Sequence, residues 1–360
     1  MEYKRNLAET LGRLTKLYTG QAKDEIFAKM NVPSEVIRQY AIRHPETYCD
    51  YPDIVEREVF WNDYLKERTD ILDDSMPAAY LSEFDEGLYT AIVGGEIRFM
   101  NNTDWGWVSS MGVPRIKDPE DMLNLKLDTD SKWAKIYLNQ LRYFAEKSNG
   151  KYGVSHFILI DGLNFIYELR GATNAYYDAL DCPEVVEQVF VLARDVNMWV
   201  QDTFFDEVGL FQGGTVSNQS QWIPGRIVSE SLDPFHMTSV KDFERWGVEN
   251  IEKVFAHYDG GVFHIHSNGH HLIERAAKIQ GVKSITLLDE NQNPIKNYMK
   301  LAELDKLRGD TPVQIDLPYE IMKQKLEAHE LPGNMFFNVL GVPDVDAANR
   351  MMDDIKKYRA

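Results

Sequence analysis

The sequence predicts an α/β fold, a TIM (β/α)8 barrel with an N-terminal helical elaboration, on three observations. From about residue 150 onward, short apolar, β-branched runs alternate with amphipathic helical stretches, which implies parallel strands joined by crossover helices. The chain has 360 residues, 44% of them hydrophobic, enough for one large closed sheet. Many of the apolar runs finish on a polar residue, as strands do where they open into the C-terminal mouth of a barrel.

In chain order, helices are expected over residues 2–18, 34–42 and 54–66. Strands are expected over 154–160, 209–212, 226–229, 261–266, 284–288, 313–317 and 335–339. A further strand, needed to close eight, is sought near 69–72 or 91–92. The clearest helix start is Asp181-Cys182-Pro183-Glu184, where Asp181 caps, Pro183 takes the first turn and Glu184 closes a capping box ahead of a helical body over 185–205. Gly341-Val342-Pro343-Asp344 opens a last helix through Ala347, Met351, Met352, Ile355 and Tyr358. No repeat or Pro/Gly/Ser-rich linker divides the chain, so residues 1–360 are expected to form a single barrel domain, with 1–66 as its helical elaboration.

Lys plus Arg number 39 against 57 Asp plus Glu, a formal charge of -18. Such a surface disfavours nucleic acid and anionic lipid as partners. Residues 1–15 lack the apolar core of a secretory signal, and no apolar run approaches the ~18 residues of a membrane span. The two cysteines, Cys49 and Cys182, form no CxxC and can build neither a disulfide framework nor a cysteine-rich zinc site. A cytoplasmic location is the expectation.

The strand ends carry Asp161, Glu230 and Asp233, His264 and His266, Asp289, and Asp316. Any one of these carboxylates has an ordinary role as a helix cap, but their succession points to a site in the mouth. Residues 260–271, Gly-Gly-Val-Phe-His-Ile-His-Ser-Asn-Gly-His-His, hold four of the nine histidines. In an extended strand His264 and His266 share a side and can offer two imidazoles to one divalent metal, with zinc the natural guess. A third ligand is sought from a neighbouring strand, with Glu230, Asp289 and Asp316 the candidates. Histidines lining a pocket without metal are the plainer alternative. Trp105-Gly106-Trp107, with Tyr80, Phe84, Tyr89 and Phe99 upstream, suits a flat organic substrate, or else ordinary packing of the elaboration on the barrel. There is no GxGxxG, P-loop, GxSxG, HExxH or kinase signature, and Cys182 is read as structural.

Residues 150–355 resemble the uroporphyrinogen decarboxylase superfamily, which includes corrinoid-dependent methyltransferases. The resemblance lies in five features. They are the helix opened at Asp181-Cys182-Pro183-Glu184, the Glu230 strand followed by Asp233-Pro234 and the helix at 238–243, the HxH strand ending at Gly269, the strand 285–289, and the terminal helix after Gly341-Val342-Pro343-Asp344. It implies a TIM barrel with its pocket at the C-terminal mouth. The Arg-Gln-Ala-Gly-Arg core with which the true decarboxylases hold tetrapyrrole carboxylates is absent, so tetrapyrrole decarboxylation is disfavoured.

The methyltransferase branch carries HxC and a later cysteine as zinc ligands. Here His264 matches, His266 replaces the cysteine, and no cysteine follows Cys182, so the third ligand differs. Asp316 is the first choice and Glu230 the second. The resemblance thus implies zinc-assisted methyl transfer between a small methylated substrate or thiol and a corrinoid carried by a partner protein. Asp289 or His270 would handle a proton, and Tyr80, Trp105, Trp107 and Asp161 would bind the substrate. The alternative is a metal-free decarboxylase or lyase of the same superfamily acting on a carboxylated substrate. A scaffold barrel and a zinc hydrolase are the remaining readings.

Overall fold

The structure, a computed structural model, describes residues 1–219, 221–290 and 292–360. It is a TIM barrel. The parallel strands are β1 (Ile26–Met30), β2 (Ala78–Ala79), β3 (Gly153–Val154), β4 (Ile158–Ile160), β5 (Val228–Ser231), β6 (Gly261–His266), β7 (Val282–Leu288), β8 (Val313–Pro318) and β9 (Met335–Leu340). Seven of them form one parallel sheet in the order β1-β9-β8-β7-β6-β5-β4, and β2 pairs with β3.

Between β1 and β2 the wall is closed by side chains. Asp73 Oδ2 accepts from the Met30 amide at 2.8 Å and Asp74 Oδ2 from the Ala28 amide at 3.0 Å, while the Asp74 amide donates to the Ala28 carbonyl. Two buried carboxylates stand where a strand ladder would otherwise be.

Most of the later strands fall where the hydrophobic pattern puts them, with β6 covering residues 261–266 as expected. The first strand does not. Ile26-Phe27-Ala28-Lys29-Met30 lies inside the stretch 1–66 expected to be helical elaboration, its apolar run broken by Lys29, and it pairs in parallel with β9 from Ile26↔Met335 to Met30↔Val339. Residues 69–72 are turn and loop, and Ala91 ends the helix Glu86–Ala91. Residues 209–212 form no strand: Gly209, Gln212 and Gly213 all have positive φ, a turn conformation, leaving one isolated bridge at Phe211. Asp181 does not cap the long helix. It ends the helix Ala172–Asp181 in helical conformation, so Cys182 takes the cap position of Pro183–Glu207 with no side-chain hydrogen bond.

Two insertions shape the mouth. Between β2 and β3 runs an antiparallel hairpin, Glu96–Asn102 with Trp107–Val113, which carries Trp105 and Trp107. After the long helix a second hairpin, Gly214–Val216 with Trp222–Pro224, enters the barrel, where Gln221 donates to Gln314. The helix Leu7–Tyr18 packs Leu14 and Leu17 in one cluster with Phe27, Phe336 and Trp222. Among the described residues, no helix is long and apolar enough to cross a membrane.

Candidate active site at the barrel mouth

Strand register decides which strand-end groups meet. In a parallel pair, residues in register point to the same side of the sheet. Ser231 is in register with His264, His264 with Thr286, and Thr286 with Gln314, which places all four on the barrel interior. Glu230 is in register with Phe263 and takes the opposite side, where it lines a small cavity with Phe190, Asn197 and Ile251. Glu230 is therefore behind the sheet and cannot join His264. Asp316 fails for a different reason: it lies on β8, separated from β6 by β7, and accepts from Asn338 Nδ2 at 2.8 Å.

The group that does meet the histidines is Asp233, in the helical turn Asp233–Met237 that follows β5. Nitrogen atoms of His264 and His266 and an oxygen of Asp233 lie within 4.8 Å of one another. His264 Nε2 is 3.0 Å from Asp233 Oδ1 and His266 Nε2 is 3.5 Å from the same atom. On its far side His266 Nδ1 meets Glu290 Oε1 at 2.5 Å. Burial alone would raise the Asp233 carboxyl, but His264, His266 and His236 hold it well below the usual carboxylate range. Burial acts to lower His264, and Asp233 with Asp85 and Glu86 reverse that and raise it. His236 packs its ring 5.7 Å from that of His266, and burial depresses it to about 3, so it stands neutral.

Three more carboxylates border this cluster. Burial pushes Asp85, Glu86 and Glu168 up, with the charge of Glu86 adding to the rise of Asp85 and Glu168 and that of Asp233 to the rise of Glu86. The residues expected to handle protons, Asp289 and His270, are close neighbours. Asp289 Oδ1 accepts from the Asn297 amide at 2.9 Å, and burial raises its carboxyl. Burial and Lys300 lower His270, whose Nε2 has no hydrogen-bond partner among the described residues.

On the other side of the mouth opens a cavity of about 250 Å³. Tyr80, Trp105 and Trp107 line it, as does Asp316 on its floor beside Gln314 and Asn338. The Tyr80 and Trp107 rings meet edge to face at 5.3 Å, and Trp105 stacks on Trp107 at 6.1 Å. Asp161, expected among the substrate ligands, is not in the lining. It caps the helix Gly162–Arg170 by accepting from the Leu163 and Asn164 amides at 2.6 and 2.9 Å, the ordinary role of a strand-end Asp.

Sequence reasoning missed one wall of this cavity, the helix Ile54–Glu67 and its C-terminal residue Arg68. Trp61, Tyr64, Leu65 and Arg68 all line it, and their i, i+3, i+4, i+7 spacing is a single helix face that was legible in the chain.

Over 97% of its length the chain is similar to 98% of a solved methyltransferase from Methanosarcina mazei, with a TM-score of 0.61 and 11% sequence identity. It is also similar, over 93% of its length and 98% of the other chain, to a B12-independent methionine synthase from Shewanella sp. W3-18-1, with a TM-score of 0.45 and 10% identity. No family model and no curated protein sequence matches the chain. At such identity the likeness to the Methanosarcina enzyme is one of fold, and the geometry at the mouth of the TIM barrel is this chain's own.

Proposed function

We propose that the chain is a methyltransferase that works at this mouth with a zinc ion held by Asp233, His264 and His266. The observation that carries the reading is the convergence of two imidazoles and one carboxylate, from two adjacent strand ends, within 4.8 Å. Three protein ligands of these types, with room for a fourth partner, suit catalytic zinc. Glu290 on His266 Nδ1 is the kind of carboxylate that fixes a ligating imidazole and leaves Nε2 for the metal. The fold shared with a methyltransferase supports the same class of reaction.

Bound there, zinc would supply Lewis acidity to an ether oxygen, or hold a thiol as its thiolate. The chain's own residues do the rest. Asp289 and His270 hold a proton beside the reacting group, His270 at Nε2. The hairpin with Trp105 and Trp107 covers the substrate and keeps water from it, and Tyr80 packs against Trp107 to fix that wall. The methyl group would pass to or from a corrinoid carried by a separate protein.

A metal-free lyase acting on a carboxylated substrate is the second reading, favoured by Arg68 and Lys29 in the cavity wall. Metal content by mass spectrometry, with methyl transfer before and after chelation, separates the two. Near-stoichiometric zinc is expected in the wild type, lost in His264→Ala/His266→Ala and in Asp233→Asn but retained in Asp316→Asn and Glu230→Gln. A wild type that stays metal-free after reconstitution, or that turns over undiminished with chelator, overturns the zinc reading.

A further inference from the structure

The polar floor of the aromatic cavity is held from behind by two chains of side-chain hydrogen bonds, and both end on β8. In the first, the Tyr18 hydroxyl donates to Gln221 Oε1 at 2.8 Å, and Gln221 Nε2 donates to Gln314 Oε1. Gln221 and Gln314 are 1% and 2% exposed, so an amide that turned over would lose a buried partner. The chain stops at Gln314 Nε2, which has no acceptor among the described residues. It is not one of the unpartnered atoms that the fold seals away, and Gln314 lines the cavity, so this donor opens there.

In the second chain, Asn31 Nδ2 donates to the Val339 carbonyl at 3.1 Å and to Asn338 Oδ1 at 2.6 Å, and Asn338 Nδ2 donates to Asp316 Oδ1 at 2.8 Å. A carbonyl can only accept, which fixes the direction of Asn31 and through it that of Asn338. Asp316 keeps Oδ2, which is not sealed either and accepts from no described residue. Gln314 and Asp316 are two apart on one strand and share its inner side. The floor therefore offers one donor and one acceptor of settled polarity. Arg68 in the same wall is paired with Asp73 at 3.0 Å, and Lys29 is engaged as well, so neither is a spare charge.

We propose that this cavity binds a planar nitrogen heterocycle of the lactam type, its ring carbonyl accepting from Gln314 Nε2, its adjacent N–H donating to Asp316 Oδ2, and its faces against Tyr80, Trp105 and Trp107. The aromatic wall selects a flat π-system. The floor rejects a hydrocarbon ring, which would leave both groups unpaired, and an aromatic acid, whose charge would face Asp316. Gln314, Thr286 and His264 are in register on three successive strands, which sets the ring about 10 Å around the barrel wall from the histidine pair. The inference deepens the methyl-transfer reading, on which it rests for the group that reacts but not for the binding itself.

The test is equilibrium dialysis of the full chain, treated with chelator, against quinazolin-4-one, 3-methylquinazolin-4-one, isoquinoline and 2-naphthoate. Saturable binding of quinazolin-4-one is expected, tighter by about fivefold or more than that of each of the other three, of which the 3-methyl compound lacks only the N–H. Binding is read without metal or turnover, so a failed zinc reading leaves it in place and its own failure leaves the zinc reading standing. Gln314→Met keeps the length and removes the donor, and Asp316→Asn replaces a pure acceptor with an amide. Each should weaken quinazolin-4-one by about fivefold or more with the circular dichroism spectrum unchanged. Asp316→Asn should change 3-methylquinazolin-4-one by less than about twofold, because that probe makes no bond to Asp316, whereas a collapsed cavity would lose both probes together. The proposal is overturned by absence of saturable quinazolin-4-one binding, by any of the other three probes binding within about fivefold of it, or by undiminished affinity in folded Gln314→Met or Asp316→Asn protein. Equal weakening of both quinazolinones in Asp316→Asn would overturn it too.

Discussion

The two sides of the barrel mouth treat polar groups in opposite ways. On the β5–β6 side, His264 hydrogen-bonds Asp233, His266 hydrogen-bonds Glu290, and His266 Nε2 lies 3.5 Å from the same Asp233 oxygen. On the β1–β2 side, aromatic rings of Trp61, Tyr80, Trp105 and Trp107 line an open cavity, and Lys4 and Arg68 both pair with the buried Asp73. A cluster whose members satisfy each other is poised to exchange those bonds for a cation without rearranging the fold. The contrast separates the proposed metal-holding half from the aromatic half, and substitutions that touch only one of them sharpen it.

The largest effect is expected on the β1–β2 side, at Asp73. This carboxylate accepts from Lys4, Arg68, Ser75 and the Met30 amide at once. Removing one partner from a buried ion pair strands the other, so Asp73→Ala should cost about 3–5 kcal/mol in urea unfolding. An unchanged midpoint would show that the β1–β2 seam is not held by this side chain. On the opposite side, Asp233→Asn should leave stability nearly intact yet weaken zinc binding on the order of a hundredfold by competition with a chromogenic chelator. Equal zinc affinity in the variant would remove Asp233 from the ligand set.

A third effect depends on pH. Burial raises Asp161 from 3.8 to about 7. The folded state thus holds a proton that the unfolded chain has already released, and the resulting stability is complete below pH 3.8 and lost as pH rises through 7. Asparagine caps a helix as well as aspartate does but carries no charge. Asp161→Asn should therefore match the wild type at pH 4 and exceed it by about 4 kcal/mol at pH 8. A variant less stable at pH 8 would contradict that assignment. The smallest change is expected from Glu290→Gln, which leaves all three proposed ligands in place but loosens the orientation of His266, for a drop of about tenfold in zinc affinity.

Much of this was readable from the chain, and where it was not the reason is physical. Gly261–His266 announces itself because an apolar strand bearing two histidines two residues apart can present them only on one side. Glu230 and Asp316 were misread as ligands because side and distance around a barrel depend on register between strands, which no local pattern records. Asp233 was visible as a strand-end carboxylate, but its reach to His264 depends on the turn after β5, a tertiary fact. Ile26–Met30 was hidden because a single Lys29, turned to the cavity, breaks the apolar run that would have marked it. Arg68 and Trp61 were overlooked although their helix face was present in the spacing.

The pairing of Ile26–Met30 with Met335–Leu340 also has a kinetic consequence. Every other neighbouring pair in the seven-stranded sheet joins strands that follow one another in the parallel series, whereas this one joins the first to the last. Loop-closure entropy makes such a contact the costliest to form, and contacts of this separation slow folding. As the chain is synthesised, the first strand must wait for nearly all the rest before its partner exists. Until then its apolar residues have no ladder to join, and the interval in which the nascent barrel is open is set by the time taken to make the β9 segment.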